Sequence, residues 1–201
     1  MKRRFLMVLV SSVCAMAEAS YTLPAVFGNN VYQFVTVLDP FVGTNNTWAT
    51  ANASAAANTY QGINGHLATV SSALENDFLY SLAAGSFVDF TGAWLGGKSP
   101  EGWQVGPEAG QGFVYSNFGG SEPNNAAYAY MNIGSTTYAG VVPGQWADIT
   151  GVSLNPVLGY DSVVGYFVEY EGAGTPEPGT VWVVGGALGA LVAIRRFRGG
   201  V

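Results

Sequence analysis

Positive charge is what this sequence has least of. Apart from Lys2, Arg3 and Arg4 at one end and Arg195, Arg196 and Arg198 at the other, its 201 residues hold one basic side chain, Lys98. Residues 20–175 set eleven acids against that lysine, a net of −10. Phosphate recognition needs clustered Lys or Arg, so nucleic-acid binding is excluded. Cysteine is almost absent as well: Cys14 is the only one, so nothing after it can form a disulfide or a cysteine metal site within the chain. His66 is the only histidine. With no thiol in the body and no Gly-x-Ser-x-Gly elbow, a nucleophile–His mechanism has no obvious parts, and the expectation is a protein that is not an enzyme. No zinc-ligand spacing and no phosphate-cradling loop occurs. What is present is apolar: 49% hydrophobic residues against 10% charged place the chain among folded proteins.

The ends differ from the middle. Lys2-Arg3-Arg4, an apolar run from Phe5 to Val13 and the small-residue sites around Ala15, Ala17 and Ala19 have the parts of a secretory signal peptide over residues 1–19. An uncleaved anchor is the alternative, although the run falls short of the ~20 residues that cross a bilayer. At the other end, Val181 to Ile194 is a 14-residue apolar run closed by Arg195-Arg196-Phe197-Arg198 and preceded by Pro176-Glu177-Pro178. As a helix it would span roughly 21 Å, so crossing the membrane over about 180–197 would need snorkelling arginines. That order of parts over residues 176–201 resembles the PEP-CTERM sorting signal of Gram-negative bacteria. The resemblance implies export, handling by an exosortase-type membrane protease, and delivery to the cell envelope, outer surface or extracellular matrix, membrane-anchored transiently or permanently. A plain tail anchor is the competing reading of the same run.

Between these ends, residues 20–175 show no repeat and no polar linker, which predicts one domain. Val31 to Val37 is rich in β-branched and aromatic residues and predicts a strand. Trp48 to about Asn58 predicts a helix burying Trp48, Ala51, Ala55 and Ala56. Ser72-Ala73-Leu74-Glu75 is a capping box, opening a second helix with Leu74, Phe78 and Leu82 on one face. Short strands are then expected at Ala93–Leu95, Gly112–Tyr115, Tyr128–Ile133, Gln145–Ala147 and Val163–Tyr170. The fold class is therefore α+β with an antiparallel sheet.

Trp48-x-x-Ala51, Gly65-His66-Leu67-Ala68-Thr69-Val70, Trp94-Leu95-Gly96-Gly97, Glu122-Pro123-Asn124-Asn125, Trp146-Ala147-Asp148 and Phe167-Val168-Glu169-Tyr170 occur in the order of the C-type lectin-like domain. The chain resembles that family over about 28–172. The resemblance implies two helices with a looped antiparallel sheet, a buried structural role for Trp94, Trp103 and Trp146, and a structural role for His66. In calcium-dependent members five side chains of the long loop hold a Ca²⁺ that binds sugar hydroxyls. Glu122, Asn124 and Asp148 match three of those positions, while Tyr128 and Ala147 stand at the other two. Since a hard cation wants six to eight oxygens, a weak calcium site or none is expected. The same residues also suit an ordinary polar turn. The implied function is an exported module that binds extracellular polysaccharide or an envelope protein through Glu122, Asn124 and Asp148; the alternative is a structural surface or matrix protein without a ligand. The acidic body favours a neutral ligand or a cation-bridged contact.

Overall fold

Along the strand Asn30–Val37 neighbouring side chains enter different cores: Val31 and Val35 join one, Tyr32 and Phe34 the other. A strand buried on both faces reads as a nearly continuous apolar run, as this one does. The computed structural model describes residues 19–37, 47–87, 89–124, 127–151 and 162–174. The expected leader lies outside them except for Ala19, as does the whole expected sorting tail. Among the described residues, no helix is long and apolar enough to cross a membrane.

In chain order the elements are β1 (Ala19–Tyr21), β2 (Ala25–Phe27), β3 (Asn30–Val37), α1 (Trp48–Ala57), β4 (Thr59–Tyr60), β5 (Ile63–Asn64), β6 (His66–Leu67), α2 (Ala73–Ala83), β7 (Thr91–Lys98), β8 (Gly102–Trp103), β9 (Tyr128–Asn132), β10 (Trp146–Ile149) and β11 (Ser162–Tyr170). The main sheet runs β1-β3-β11-β7-β9-β10, with β2 on β3, β6 on β11 and β8 on β7. Most pairs are antiparallel, as the expected sheet requires, while β11 and β7 are parallel. A parallel pair needs a long crossover, and its strands are far apart in sequence, so local patterning carries no sign of it.

Each helix covers one core. Trp48, Ala51 and Ala55 of α1 meet Trp94, Tyr130 and Val168. Thr47 caps α1, its Oγ1 accepting from the Thr50 amide at 3.1 Å. The expected fourth contact fails, because Ala56 is exposed. Leu79 and Ala83 of α2 face Leu95, Met131, Trp146 and Phe167. Ser72 caps α2 as expected, with Oγ 3.2 Å from the Glu75 amide, but Leu74 is 73% exposed. Its place on the buried stripe is taken by Glu75 and Asn76, whose hydrogen bonds fix how the helix is rotated. Gly112–Tyr115 is no strand. Phe113 and Tyr115 pack on Trp146 while Val114 points outward, so the alternation is real but no neighbouring strand completes a ladder.

The three expected core tryptophans are at most 2% exposed. Trp146 lies within 5.5–6.1 Å, ring to ring, of Trp103, Phe113, Tyr115 and Phe118. Its Nε1 donates to Asn76 Oδ1 at 2.7 Å, and Asn76 Nδ2 donates to the Gly144 carbonyl at 3.1 Å. Trp48 Nε1 likewise donates to the Leu95 carbonyl at 2.8 Å. A buried indole N–H left alone would cost ~1–3 kcal/mol, so these bonds let the rings be fully enclosed.

Candidate functional site

The loop before β9 is fastened to β10 from both sides. Asn117 accepts from the Trp146 amide at 2.8 Å, and the Gly119 amide donates to the Trp146 carbonyl at 3.0 Å. The Glu122–Pro123 peptide is cis, which turns the chain so that residues on either side of the proline face a common point. Asp148, 4% exposed, comes up beneath them from β10: Oδ1 accepts the Asn124 amide and Oδ2 the Ala127 amide, both at 2.9 Å. Asn124 Nδ2 in turn donates to Glu122 Oε1 at 2.8 Å. Glu122 Oε2 is enclosed and has no hydrogen-bond partner. Burial first, and then the neighbouring Asp148 carboxylate, push the Glu122 carboxyl up to about 7.

Glu122, Asn124 and Asp148 thus meet at one place, on the wall of a cavity of about 410 Å³. Phe90, Tyr130, Tyr138, Val141 and Ala147 supply its apolar side, with Phe90 and Tyr138 in ring contact at 5.4 Å. A cavity of this size, polar on one side and aromatic on the other, has room for a small molecule. The sequence pointed to the three polar residues but not to the aromatic wall, which comes from β9 and the segments around 90 and 138. The one available hint was Tyr138, an aromatic among turn residues.

The two expected departures have structural jobs. Tyr128 stacks on Trp48 with centroids 4.4 Å apart, and Lys98 Nζ lies 5.9 Å above its ring. Ala147 is buried and lends only a methyl to the cavity. Neither side chain offers a carboxylate or amide oxygen, and both Asp148 oxygens already hold backbone amides. This donor set falls short of the six to eight oxygens of a calcium cage.

A second group of acids lies between β3, α2 and β11. The Tyr32 hydroxyl is 2.5 Å from Glu75 Oε1 and 2.7 Å from Glu169 Oε1. Asn30 Nδ2 donates to the same Glu169 oxygen at 2.7 Å, and the Thr69 amide donates to Glu169 Oε2 at 3.0 Å. Glu75 Oε2 accepts from the Ser71 amide at 2.8 Å and the Ser71 hydroxyl at 2.7 Å. Tyr32 has one proton for two carboxylates, so a carboxyl must carry a second. That agrees with Glu169, which burial pushes up to about 7 against the pull of its hydrogen bonds. Burial and the same two acids hold the Tyr32 phenol far above its ordinary range. His66, on β6, has Nδ1 2.9 Å from the Leu67 carbonyl and Nε2 3.4 Å from Glu171 Oε1.

The architecture is that of the C-type lectin-like fold. A mutant of CEL-I, described as EPNH, has a TM-score of 0.50 and 20% identity over 79% of this chain and 97% of that one. CEL-I itself is a C-type lectin from Cucumaria echinata. The Ca²⁺-independent C-type lectin SPL-2 from Saxidomus purpuratus also has a TM-score of 0.50 and 20% identity, over 73% of this chain and 89% of that one. Human lithostathine follows at 0.49 and 18%, over 74% and 96%. At these identities the likeness is one of fold. No family model matches the sequence, and no curated protein does.

Proposed function

We propose that the protein is an exported, non-enzymatic bacterial binding module that recognises carbohydrate, or another neutral component of the extracellular matrix or envelope, through the cavity bearing Glu122, Asn124 and Asp148. One observation carries this reading: Glu122, Asn124 and Asp148, joined by hydrogen bonds, line one cavity together with an aromatic surface. Ligand hydroxyls can exchange hydrogen bonds with such polar groups. A sugar ring also offers an apolar face for Phe90, Tyr130 and Tyr138. The net of −10 over residues 20–175 favours an uncharged ligand. Calcium is at most an auxiliary here, since Tyr128 and Ala147 supply no carboxylate or amide side-chain oxygen. The leader and the sorting tail carry the chain to the envelope or beyond, the tail serving an exosortase-type protease and the membrane on the way.

A glycan array of the purified protein, run with millimolar Ca²⁺ and again with chelator, tests the cavity. Binding is expected in both conditions and is lost in Glu122→Gln; silence in both would sink the proposal. A second reading, a structural surface protein that keeps the fold without a ligand, is favoured by the Trp48–Tyr128 stack standing where a calcium ligand would be. It expects no glycan signal and unchanged retention at the cell surface in Glu122→Gln.

A further inference from the structure

Four carboxylates, Glu75, Glu108, Glu169 and Glu171, gather around Tyr32, Thr69 and His66. Among the described residues the basic side chains are His66 and Lys98, and Lys98 is engaged with Glu101 at 2.9 Å. His66 is therefore the one basic group at hand for these acids.

The strands place three ligand-type side chains together. His66 and Glu169 are directly opposed across β6 and β11. Glu171 follows two residues after Glu169, and the strand period of two carries it toward the same face. One ligand atom from each of the three lies within 4.8 Å of the others. Nδ1 of His66 faces the Leu67 carbonyl, which can only accept, so Nδ1 carries the hydrogen. In the neutral ring Nε2 then presents a lone pair. That nitrogen is enclosed, makes no hydrogen bond, and faces Glu171 Oε1 at 3.4 Å. Two acceptors that face each other call for a cation between them. The ring is held in this pose from behind, since a Cβ on Gly106 would come within 2.6 Å of its Cε1. Glu169 has capacity left: Thr69 has one hydroxyl proton for Glu108 Oε2 at 3.0 Å and Glu169 Oε2 at 3.2 Å, and giving it to the nearer leaves a lone pair on the latter.

We propose that His66 Nε2, Glu171 and Glu169 form a site for a divalent transition metal of the zinc class, with water as the fourth ligand. One imidazole and two carboxylates suit such an ion better than calcium, which takes oxygen ligands. Binding displaces the proton held by Glu169, and the two carboxylates then neutralise the charge of the metal. The Nδ1 bond to a backbone carbonyl is the outer-shell support that metal-bound histidines usually have. The 35% exposed Glu171 side chain gives a way in from solvent.

Cobalt(II) titrated into the full-length protein tests this. One equivalent should give the strong visible absorption of a four-coordinate site, and Zn²⁺ should displace it. Glu171→Gln, at the solvent side where folding is not at stake, should weaken binding at least ~10-fold, the loss already typical of outer-shell partners. His66→Gln should abolish the spectrum, and Glu122→Gln, in the separate cavity, should leave it intact. No spectrum and no Zn²⁺ binding at millimolar metal overturns the proposal, as does a spectrum that survives both His66→Gln and Glu171→Gln.

Discussion

Glu122 and Glu169 are both pushed up to about 7 by burial, yet their surroundings differ. Glu169 sits in a closed group whose hydrogen-bond partners, Asn30 and Tyr32 of β3 and Thr69 after β6, come from two other segments of the chain. Glu122 has one nitrogen donor, Asn124, and otherwise neighbours the Asp148 carboxylate at the cavity. A raised acid is thus a cross-link in one place and a cavity-side group in the other. What separates the two is the count of donors around the carboxyl, and the loss of protein stability when each acid is removed should follow that count.

The largest expected effect is therefore Glu169→Ala. It strands the buried Thr69 amide and the part-buried Asn30 side chain, leaves the Tyr32 hydroxyl with Glu75 alone and opens a cavity, and should cost ~3–5 kcal/mol of unfolding free energy by urea titration. Glu122→Ala should cost under ~1 kcal/mol. Equal losses would break the comparison.

Next is pH. Because the folded state raises both carboxyls, it holds protons that the unfolded chain has released between about pH 4.5 and 7. Stability from these groups is present below that window and is lost as pH rises through it. The Glu169 part is at most on the order of 3 kcal/mol. The urea midpoint should fall from pH 5 to pH 8, and Glu169→Gln should flatten the slope more than Glu122→Gln does. A midpoint that rises over this range contradicts the assignment.

The smallest effect would turn the cavity into something nearer a metal cage. Tyr128→Glu with Ala147→Asn puts a carboxylate and an amide oxygen at the two positions where the resemblance expects calcium ligands, at the expense of the Trp48 stack, worth ~0.5–1.5 kcal/mol. The double variant should gain thermal stability with calcium, about 2.7 kcal/mol at a hundredfold excess over Kd. The parent should shift much less or not at all, and an equal shift in both would show the cavity already complete.

Much of this was legible in the chain. The β-branched run at 31–37, the Ser72 cap, the buried tryptophans and the gathering of Glu122, Asn124 and Asp148 all rest on local signals or on ordered motifs. What stayed hidden depends on contacts distant in sequence. Glu75 and Asn76 look like a solvent face until Tyr32 and Trp146 are brought against them. The His66–Glu169 opposition joins strands about a hundred residues apart. Phe113 and Tyr115 alternate like a strand because Trp146 needs their rings, with no ladder involved.

The order of the sheet has a consequence for how the molecule can be displayed. β1 forms one edge, and Gly174, near the exit of the domain, is tied back at 2.8 Å to the carbonyl of Asn29 in the turn between β2 and β3, on the same side of the sheet, whereas β10 with Asp148 forms the opposite edge. At ~4.8 Å per strand, five steps separate the two margins by roughly 24 Å. Whatever holds this domain by either end, a surface, a bead or a fused reporter, grips it at the margin away from the cavity and leaves the mouth free to meet its surroundings.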